Sequence, residues 1–342
     1  MKQYMKSIVG NRELCEKLCR DVLCDKLSHA FILEGAKGTG KHTVALNVAA
    51  ALACSQKHKS DAIPCYSCPE CRKVLEGKSP DVITVGTGDK ATFGVDLVRF
   101  LREDVRTVPN DLDFKIYVIE NADKMTPQAQ NAFLLTLEEP PSYVRFILLC
   151  ENADLFLETV RSRAPVLRTQ PIDNDELDAY LCANDRRAAQ MKLSSPAEYA
   201  ELIIASDHGI GTALYYLEPK NFSQIKDSRA LVIEFCDVAT SGIGSKAALP
   251  LIARFPQKRE PLLTLLQMMS EAVTDLLMIK KNDNARLCFF SDRTLAMEIC
   301  DRVSMSFLYD LASSIITAID SISVNANVRL VLIKLLSDSD MI

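Results

Sequence analysis

The chain has 342 residues, 48% of them hydrophobic and 25% charged, with a mean hydropathy of +0.05. That balance supplies apolar surface for buried cores and excludes wholesale disorder, and the length suits two or three domains. Lys and Arg total 40 against 45 Asp and Glu, a net charge of −5, so global attraction to nucleic acid or an acidic membrane is not implied. No uninterrupted apolar run approaches the roughly 18 residues of a membrane span, and the first residues lack the apolar stretch of a signal peptide. A soluble, cytoplasmic protein with no membrane partner is expected.

In chain order, the first half alternates helical and strand patterns. A helix is predicted from Asn11 to about Lys26, then a short apolar run, Ala30 to Leu33, that fits a buried strand. A glycine-rich loop, Gly35 to Lys41, leads into an alanine-rich helix at Thr43 to Leu52. Further buried strands are predicted at Val82 to Val85, Lys115 to Ile119 and Val144 to Leu149, separated by helices at Val95 to Val105 and Gln128 to Leu137. Strands alternating with helices imply parallel βαβ units and an α/β layer architecture.

After Pro171 the strand signals stop. Residues 172 to about 218 give short helices broken at Asn184-Asp185, Ser194-Ser195-Pro196 and His208-Gly209. Pro219 to Ser223 reads as a linker into a third region of amphipathic helices, clearest at Leu262 to Ile279 and Val328 to Leu336. That region has 13 Lys and Arg against 14 Asp and Glu from 221 onward, so it carries no net basic character. Its composition fits an independent helical bundle or an oligomerisation bundle equally well.

Gly35-Ala36-Lys37-Gly38-Thr39-Gly40-Lys41-His42 matches the phosphate-binding pattern G-x-x-x-x-G-K-[ST] everywhere but the last position. Glycines let backbone N–H groups curl around phosphate oxygens, Lys41 would reach the β/γ-phosphates, and the next helix points its positive end inward. The last position normally supplies a hydroxyl to Mg²⁺, and a neutral imidazole is a poor ligand for that hard cation. Thr43 comes one residue late. In P-loop ATPases the partner strand ends in Asp-Glu, for metal-bound water and for polarising the attacking water. Here Lys115 to Ile119 is followed by Glu120 and Asn121, and a neutral amide cannot act as that base. Two independent defects at one hydrolytic centre predict little or no ATP hydrolysis and weak ATP and Mg²⁺ binding.

Of the 12 cysteines, Cys54, Cys65, Cys68 and Cys71 cluster as C-x10-C-x2-C-x2-C. Two-residue spacers let neighbouring thiolates converge on one ion, and four thiolates suit tetrahedral Zn²⁺ in a closed, structural site. Unligated thiols and an iron–sulfur cluster are the alternatives, and His58 lies near enough in sequence to substitute as a ligand. The insertion has little apolar content of its own. The other eight cysteines (Cys15, Cys19, Cys24, Cys150, Cys182, Cys236, Cys288, Cys300) are expected to be packing residues.

A P-loop followed by a C-x2-C-x2-C insertion resembles the bacterial clamp-loader ATPases of the AAA+ class. The stretch Ser28 to Leu33 resembles that family's H-A-[FY]-L strand, and Asn131 to Pro141 its N-A-L-L-K-x-L-E-E-P-P signature, with Leu135 in place of Lys. Thr159-Val160-Arg161-Ser162-Arg163-Ala164 resembles the arginine-finger motif T-[IV]-x-S-R-C, and Asn325-Ala326-Asn327 before Leu330 and Leu332 resembles the last collar helix. The resemblance implies an AAA+ α/β P-loop domain at 1–170 with a zinc module at 54–71, a small helical lid at 171–220 and an all-α collar at 221–342. It implies a subunit of the DNA polymerase III loader, working with γ/τ-type motor subunits, a δ subunit, the sliding clamp and primer–template DNA. Arg163 would act in trans on a neighbour's nucleotide, since a guanidinium forks onto phosphate whatever the state of its own site. Gly211 stands where motor subunits carry a nucleotide-sensing Arg, a departure that favours a non-motor subunit. A working motor of the same family and a zinc-stabilised scaffold adaptor without a finger are the alternatives.

Overall fold

The computed structural model describes residues 3–86, 93–241, 245–285, 287–323 and 326–338. Its contacts divide into two compact units, Met1–Asn184 with His208–Thr212, and Asp185–Asp207 with the residues from Ala213 onward.

The first unit is built on a five-stranded, all-parallel sheet: β2 (Ala30–Glu34), β4 (Val82–Val85), β5 (Lys115–Ile119), β6 (Val144–Cys150) and β7 (Val166–Arg168), in the order β4-β5-β6-β2-β7. Residues alternate between the two faces of a strand, and both faces here are covered. Phe31, Leu33, Ile116, Val118, Ile147 and Leu149 point to one core. That core is shared with α1 (Arg12–Leu23) and α2 (Lys41–Ala53). Ala30, Ile32, Tyr117, Ile119, Phe146 and Leu148 point to the other, covered by α4 (Val95–Asp104) and α5 (Pro127–Glu138). There Phe146 stacks on Tyr117 at 5.3 Å between centroids and meets the edge of Phe133 at 5.2 Å. Aromatic pairs at that spacing add roughly 0.5–1.5 kcal/mol beyond area burial. The predicted strands and helices of this half fall where expected to within two or three residues. The short β7 edge strand was not foreseen, because three residues are too few to show periodicity.

The cysteine insertion differs from its expectation. It forms β3 (Ala62–Ile63), which pairs in parallel with β1 (Gln3–Tyr4), and then α3 (Pro69–Leu75). Ile63 and Val74 are fully buried in the core against α2, so the insertion has apolar anchors after all. Of the scattered cysteines, Cys24 and Cys288 are exposed rather than packed.

Short helices α7 (Asn174–Asn184), α8 (Arg186–Ser194), α9 (Pro196–Ala205) and α10 (Ile210–Tyr216) break at the predicted places. The predicted linker at Pro219 to Ser223 is instead the first turn of α11 (Pro219–Thr240). Pro219 occupies the first helical position, where its missing N–H costs nothing, so the residue that reads as a breaker is a helix start.

The rest of the second unit comprises α12 (Ser245–Ala253), α13 (Arg259–Lys281), α14 (Arg293–Asp301), α15 (Met305–Ser323) and α16 (Val328–Asp338). Among the described residues, two helices are long and apolar enough by length and composition to cross a membrane, Arg259–Lys281 and the stretch Met305–Ile322, although acidic residues interrupt both and neither is an uninterrupted apolar run. The first is the core helix of this unit: Leu262, Leu266, Met269, Ala272, Val273 and Leu276 are fully buried. Its buried Asp275 carboxylate accepts N–H bonds from Cys288, Phe289 and Phe290, which ties the following loop to the helix. Asn325 of the collar motif lies outside the described residues; Ala326 and Asn327 precede α16, whose N–H groups at Arg329 and Leu330 the Asn327 side chain caps.

Candidate functional site

The strand end, loop and helix start that a phosphate site requires are all present. The chain leaves β2 at Glu34, turns through Gly35 to Gly40 and enters α2 at Lys41. Gly38 and Gly40 take φ of +83° and +81°, which a side chain would resist. A Cβ on Gly38 would come 2.3 Å from Thr212 Oγ1, and one on Gly35 1.9 Å from Thr169 Oγ1. The loop is thus covered by its own chain, and the Gly211 N–H donates to the Gly38 carbonyl at 3.4 Å.

Lys41 turns back into this loop. Its ammonium donates to the carbonyls of Gly35 at 2.5 Å and Ala36 at 2.7 Å. Burial lowers its pKa, opposed by the negative charges of Glu151 and Asp123. His42 Nε2 lies 3.6 Å from Glu120 Oε1, so the two residues that replace the hydroxyl and the first acid of the motif face each other. Thr43 is exposed on the helix and offers its carbonyl to Asn47. Asn121 is exposed and takes a left-handed φ of 49° at the start of the turn 122–124, a conformation Asn tolerates better than a longer acid does.

Sequence reasoning missed Asp123. One of its oxygens accepts the N–H groups of Glu151 at 3.0 Å and Asn152 at 3.4 Å, and the other is buried without a hydrogen-bond partner. It also missed Glu34, whose carboxylate accepts from the Ala153 N–H at 2.9 Å and pairs with Arg168 at 2.6 Å. Those hydrogen bonds hold Glu34 below its usual carboxyl pKa. No motif marks either residue; both are found only where strand ends converge.

The four cysteines do come together. Cys54 closes the C-terminus of α2, Cys68 is the N-cap of α3, Cys71 lies in its first turn, and Cys65 lies in the loop before. Their four Sγ atoms all lie within 4.8 Å of one another, and all four residues are buried. The Cys68 N–H donates to Cys65 Sγ at 3.3 Å and the Cys71 N–H to Cys68 Sγ at 3.4 Å. Such N–H donors favour thiolates. Burial raises Cys54 and Cys71, while at Cys65 burial is outweighed by donors from Ser67 and Cys68, which bring it down to about 6. Four converging sulfurs with backbone donors fit a soft, tetrahedral cation. His58 is not among the converging ligands.

The module is joined to α2 at several points. Cys71 Sγ contacts the Ala50 carbonyl at 3.4 Å, and the Tyr66 hydroxyl donates to the buried Asn47 at 2.7 Å, where Ser7 Oγ also donates at 3.0 Å; within the module, Ser55 Oγ bonds Glu70 at 3.0 Å.

Arg163 follows the short helix α6 (Glu158–Arg161) and is partly exposed. Its Nη2 pairs with Glu138 Oε1 at 2.6 Å, and its Nη1 donates to the Thr159 carbonyl at 2.9 Å.

Fold and site together define an α/β domain with a P-loop-type strand–loop–helix and a four-cysteine insertion. Residues 10–173 match the family described as DNA polymerase III, delta subunit. The delta' subunit of DNA polymerase III from Bacillus subtilis is 31% identical over 214 residues, covering 63% of this chain and 60% of that protein. The gamma subunit from Buchnera aphidicola of Acyrthosiphon pisum is 29% identical over 179 residues, covering 52% of this chain and 48% of that protein. Among solved structures, a gamma subunit-related protein from Thermotoga maritima aligns over 95% of this chain and 98% of its own, with 17% identity and a TM-score of 0.48. The chain spans about half the length of the curated gamma relatives it matches. The similarity to DNA polymerase III subunits thus covers residues 10–173 for the family match and 52–63% of the chain for these two relatives.

Proposed function

We propose that the chain is a δ′-type subunit of the DNA polymerase III clamp loader, helping to place the sliding clamp on primed DNA in the cytoplasm. It does so without an efficient ATPase of its own and presents Arg163 to the nucleotide of an adjacent γ/τ-type subunit. The observation that carries this reading is the state of the nucleotide centre beside a finger motif that keeps Arg163, with Ala164 in place of the motif's Cys. Lys41 is hydrogen-bonded to carbonyls of its own loop, His42 faces Glu120, and Thr212 stands over Gly38. Gly35, Gly38, Gly40, Lys41, His42, Thr43, Glu120 and Asn121 are then a degenerate nucleotide site, with no hydroxyl for Mg²⁺ and no base for water. In this reading Cys54, Cys65, Cys68 and Cys71 hold one structural Zn²⁺. The collar at 221–342 assembles with the motor and δ subunits, and the lid at 171–220 precedes it.

Mechanistically, the chain's own contribution is electrostatic. A guanidinium held at a subunit boundary meets the charge that builds on a transferring phosphoryl group, and Arg can do so in two parallel hydrogen bonds. Zn²⁺ would supply no chemistry beyond cross-linking α2, the loop and α3.

Affinity purification from cells, with bound proteins identified by mass, tests the assignment. DNA polymerase III loader subunits are the expected companions, and their absence sinks it. The relatives named gamma and tau favour a second reading, an active motor. The isolated chain should hydrolyse ATP negligibly, and Asn121→Glu alone should not restore turnover because His42 still stands at the Mg²⁺ position. Robust turnover abolished by Lys41→Ala would establish the motor reading instead.

A further inference from the structure

The ion pair on Arg163 carries an inference that rests on the finger reading above. Glu138 is the last residue of α5, and the carboxylates of Glu138 and Glu139 both stand at the negative end of that helix, where the macrodipole disfavours them. Helix stability therefore does not account for a carboxylate at 138. What it does contact is the guanidinium: Glu138 Oε1 is 2.6 Å from Arg163 Nη2. The other guanidinium nitrogen, Nη1, donates to the Thr159 carbonyl at 2.9 Å and to Ser162 Oγ at 3.3 Å. Three acceptors on two elements hold one side chain by its Nη atoms, and Nε makes no hydrogen bond among the described residues. The Arg163 side chain is 35% exposed. An unpaired Arg in that setting would sample many rotamers, and it would lose that rotamer entropy when it engages a ligand.

We propose that Glu138 is a positioning residue for Arg163. It fixes the guanidinium by one Nη edge, so that Nε–H and the remaining hydrogens face out of the chain toward an anionic acceptor. That acceptor is a terminal phosphate of a nucleoside triphosphate held by an adjacent subunit. Glu138 touches no phosphate itself; a carboxylate beside the transferred group would repel it. Its effect is to have the Arg side chain ordered before the neighbour docks, which removes an ordering cost from the step in which charge develops.

The test is a double-mutant cycle in the reconstituted loader, read as steady-state ATP hydrolysis stimulated by clamp and primed DNA. Glu138→Ala should lower kcat in the same direction as Arg163→Ala, by a smaller factor, on the order of two-fold, with KM for ATP unchanged. Glu138→Gln, which keeps an acceptor oxygen, should recover part of the loss. In the Arg163→Ala background Glu138→Ala should have no further effect, because its only route is through Arg163. Assembly of each variant is checked by size and stoichiometry. An impaired Arg163→Ala complex with a fully active Glu138→Ala complex overturns the positioning role and leaves the finger standing. A further loss from Glu138→Ala in the Arg163→Ala background also overturns it, since Glu138 then acts through the fold. Full activity of Arg163→Ala removes the finger reading and this proposal with it.

Discussion

Replacing Arg163 by Ala should leave folding and assembly intact and lower the DNA- and clamp-stimulated ATPase of the loader without abolishing it. Arginine fingers contribute on the order of 10³–10⁵ in rate where phosphoryl transfer has been dissected. At a single active site that is about 4–7 kcal/mol of transition-state stabilisation. A loader contains several motor sites and this chain would serve one of them, so the assembly loses that site's share of turnover. The side chain is partly exposed, and surface ion pairs contribute roughly 0–1 kcal/mol, so losing the pair with Glu138 should not unfold the domain. Arg163→Lys should rescue poorly, because an ammonium is a point charge and cannot reproduce the planar fork. Steady-state hydrolysis by complexes of confirmed composition is the measurement. Unchanged turnover with Arg163→Ala would leave the residue as a surface cation and favour a scaffold without a finger.

The second large effect concerns the cysteine module. The chain purified from unsupplemented medium should contain about one zinc per molecule and essentially no iron, since four sulfurs close one tetrahedral site. Elemental analysis decides it, and stoichiometric iron with its visible absorbance would refute the assignment. Cys68→Ser should lose the metal and melt the module. Cys68 is both a converging sulfur and the N-cap of α3, accepting the Cys71 N–H; a Ser hydroxyl can still cap, so what the seven-residue helix loses is its metal tether. A helix that short has no independent stability. Ile63 and Val74 should then open to solvent, seen as protease cleavage between residues 54 and 71 and faster hydrogen exchange there. The helices of the second unit should be unaffected. Simultaneous loss of both would mean that the module is not an independent element.

Much of the first unit was legible because parallel strands covered on both faces are continuous apolar runs, as at Ile116 to Ile119, and such runs stand out against polar surroundings. The break points between α7, α8 and α9 were legible too, since Asn184-Asp185 and Ser195-Pro196 carry capping and proline chemistry. The error at Pro219 has the same root: proline marks a discontinuity, and the discontinuity was a helix start. The cysteine cluster was legible from spacing, since two successive two-residue spacers let neighbouring thiolates converge on one ion. The deficits of the nucleotide loop were legible one residue at a time. Their meeting was not, because the approach of His42 to Glu120 and the cover of Thr212 over Gly38 link residues 78 and 174 positions apart. Asp123, Glu34 and the Glu138 partner of Arg163 were invisible for that reason: each acquires its role only from a neighbour that folding supplies.

Helix α2 is anchored at both of its ends. Its first residue ties back to the loop carbonyls of Gly35 and Ala36, and its last turn is joined to the four-cysteine module through Cys54 and the Ala50 carbonyl, with Asn47 at mid-helix a further link. At 1.5 Å per residue, its 13 residues make a strut of about 20 Å. In a working nucleotide site the bound phosphates would clamp one end of such a strut, and its stiffness would change with each catalytic cycle. Here both clamps are built from the chain itself. The helix should therefore hold the same rigidity with or without ATP in solution, and in the loader proposed above it would be a fixed abutment against which cycling neighbours push.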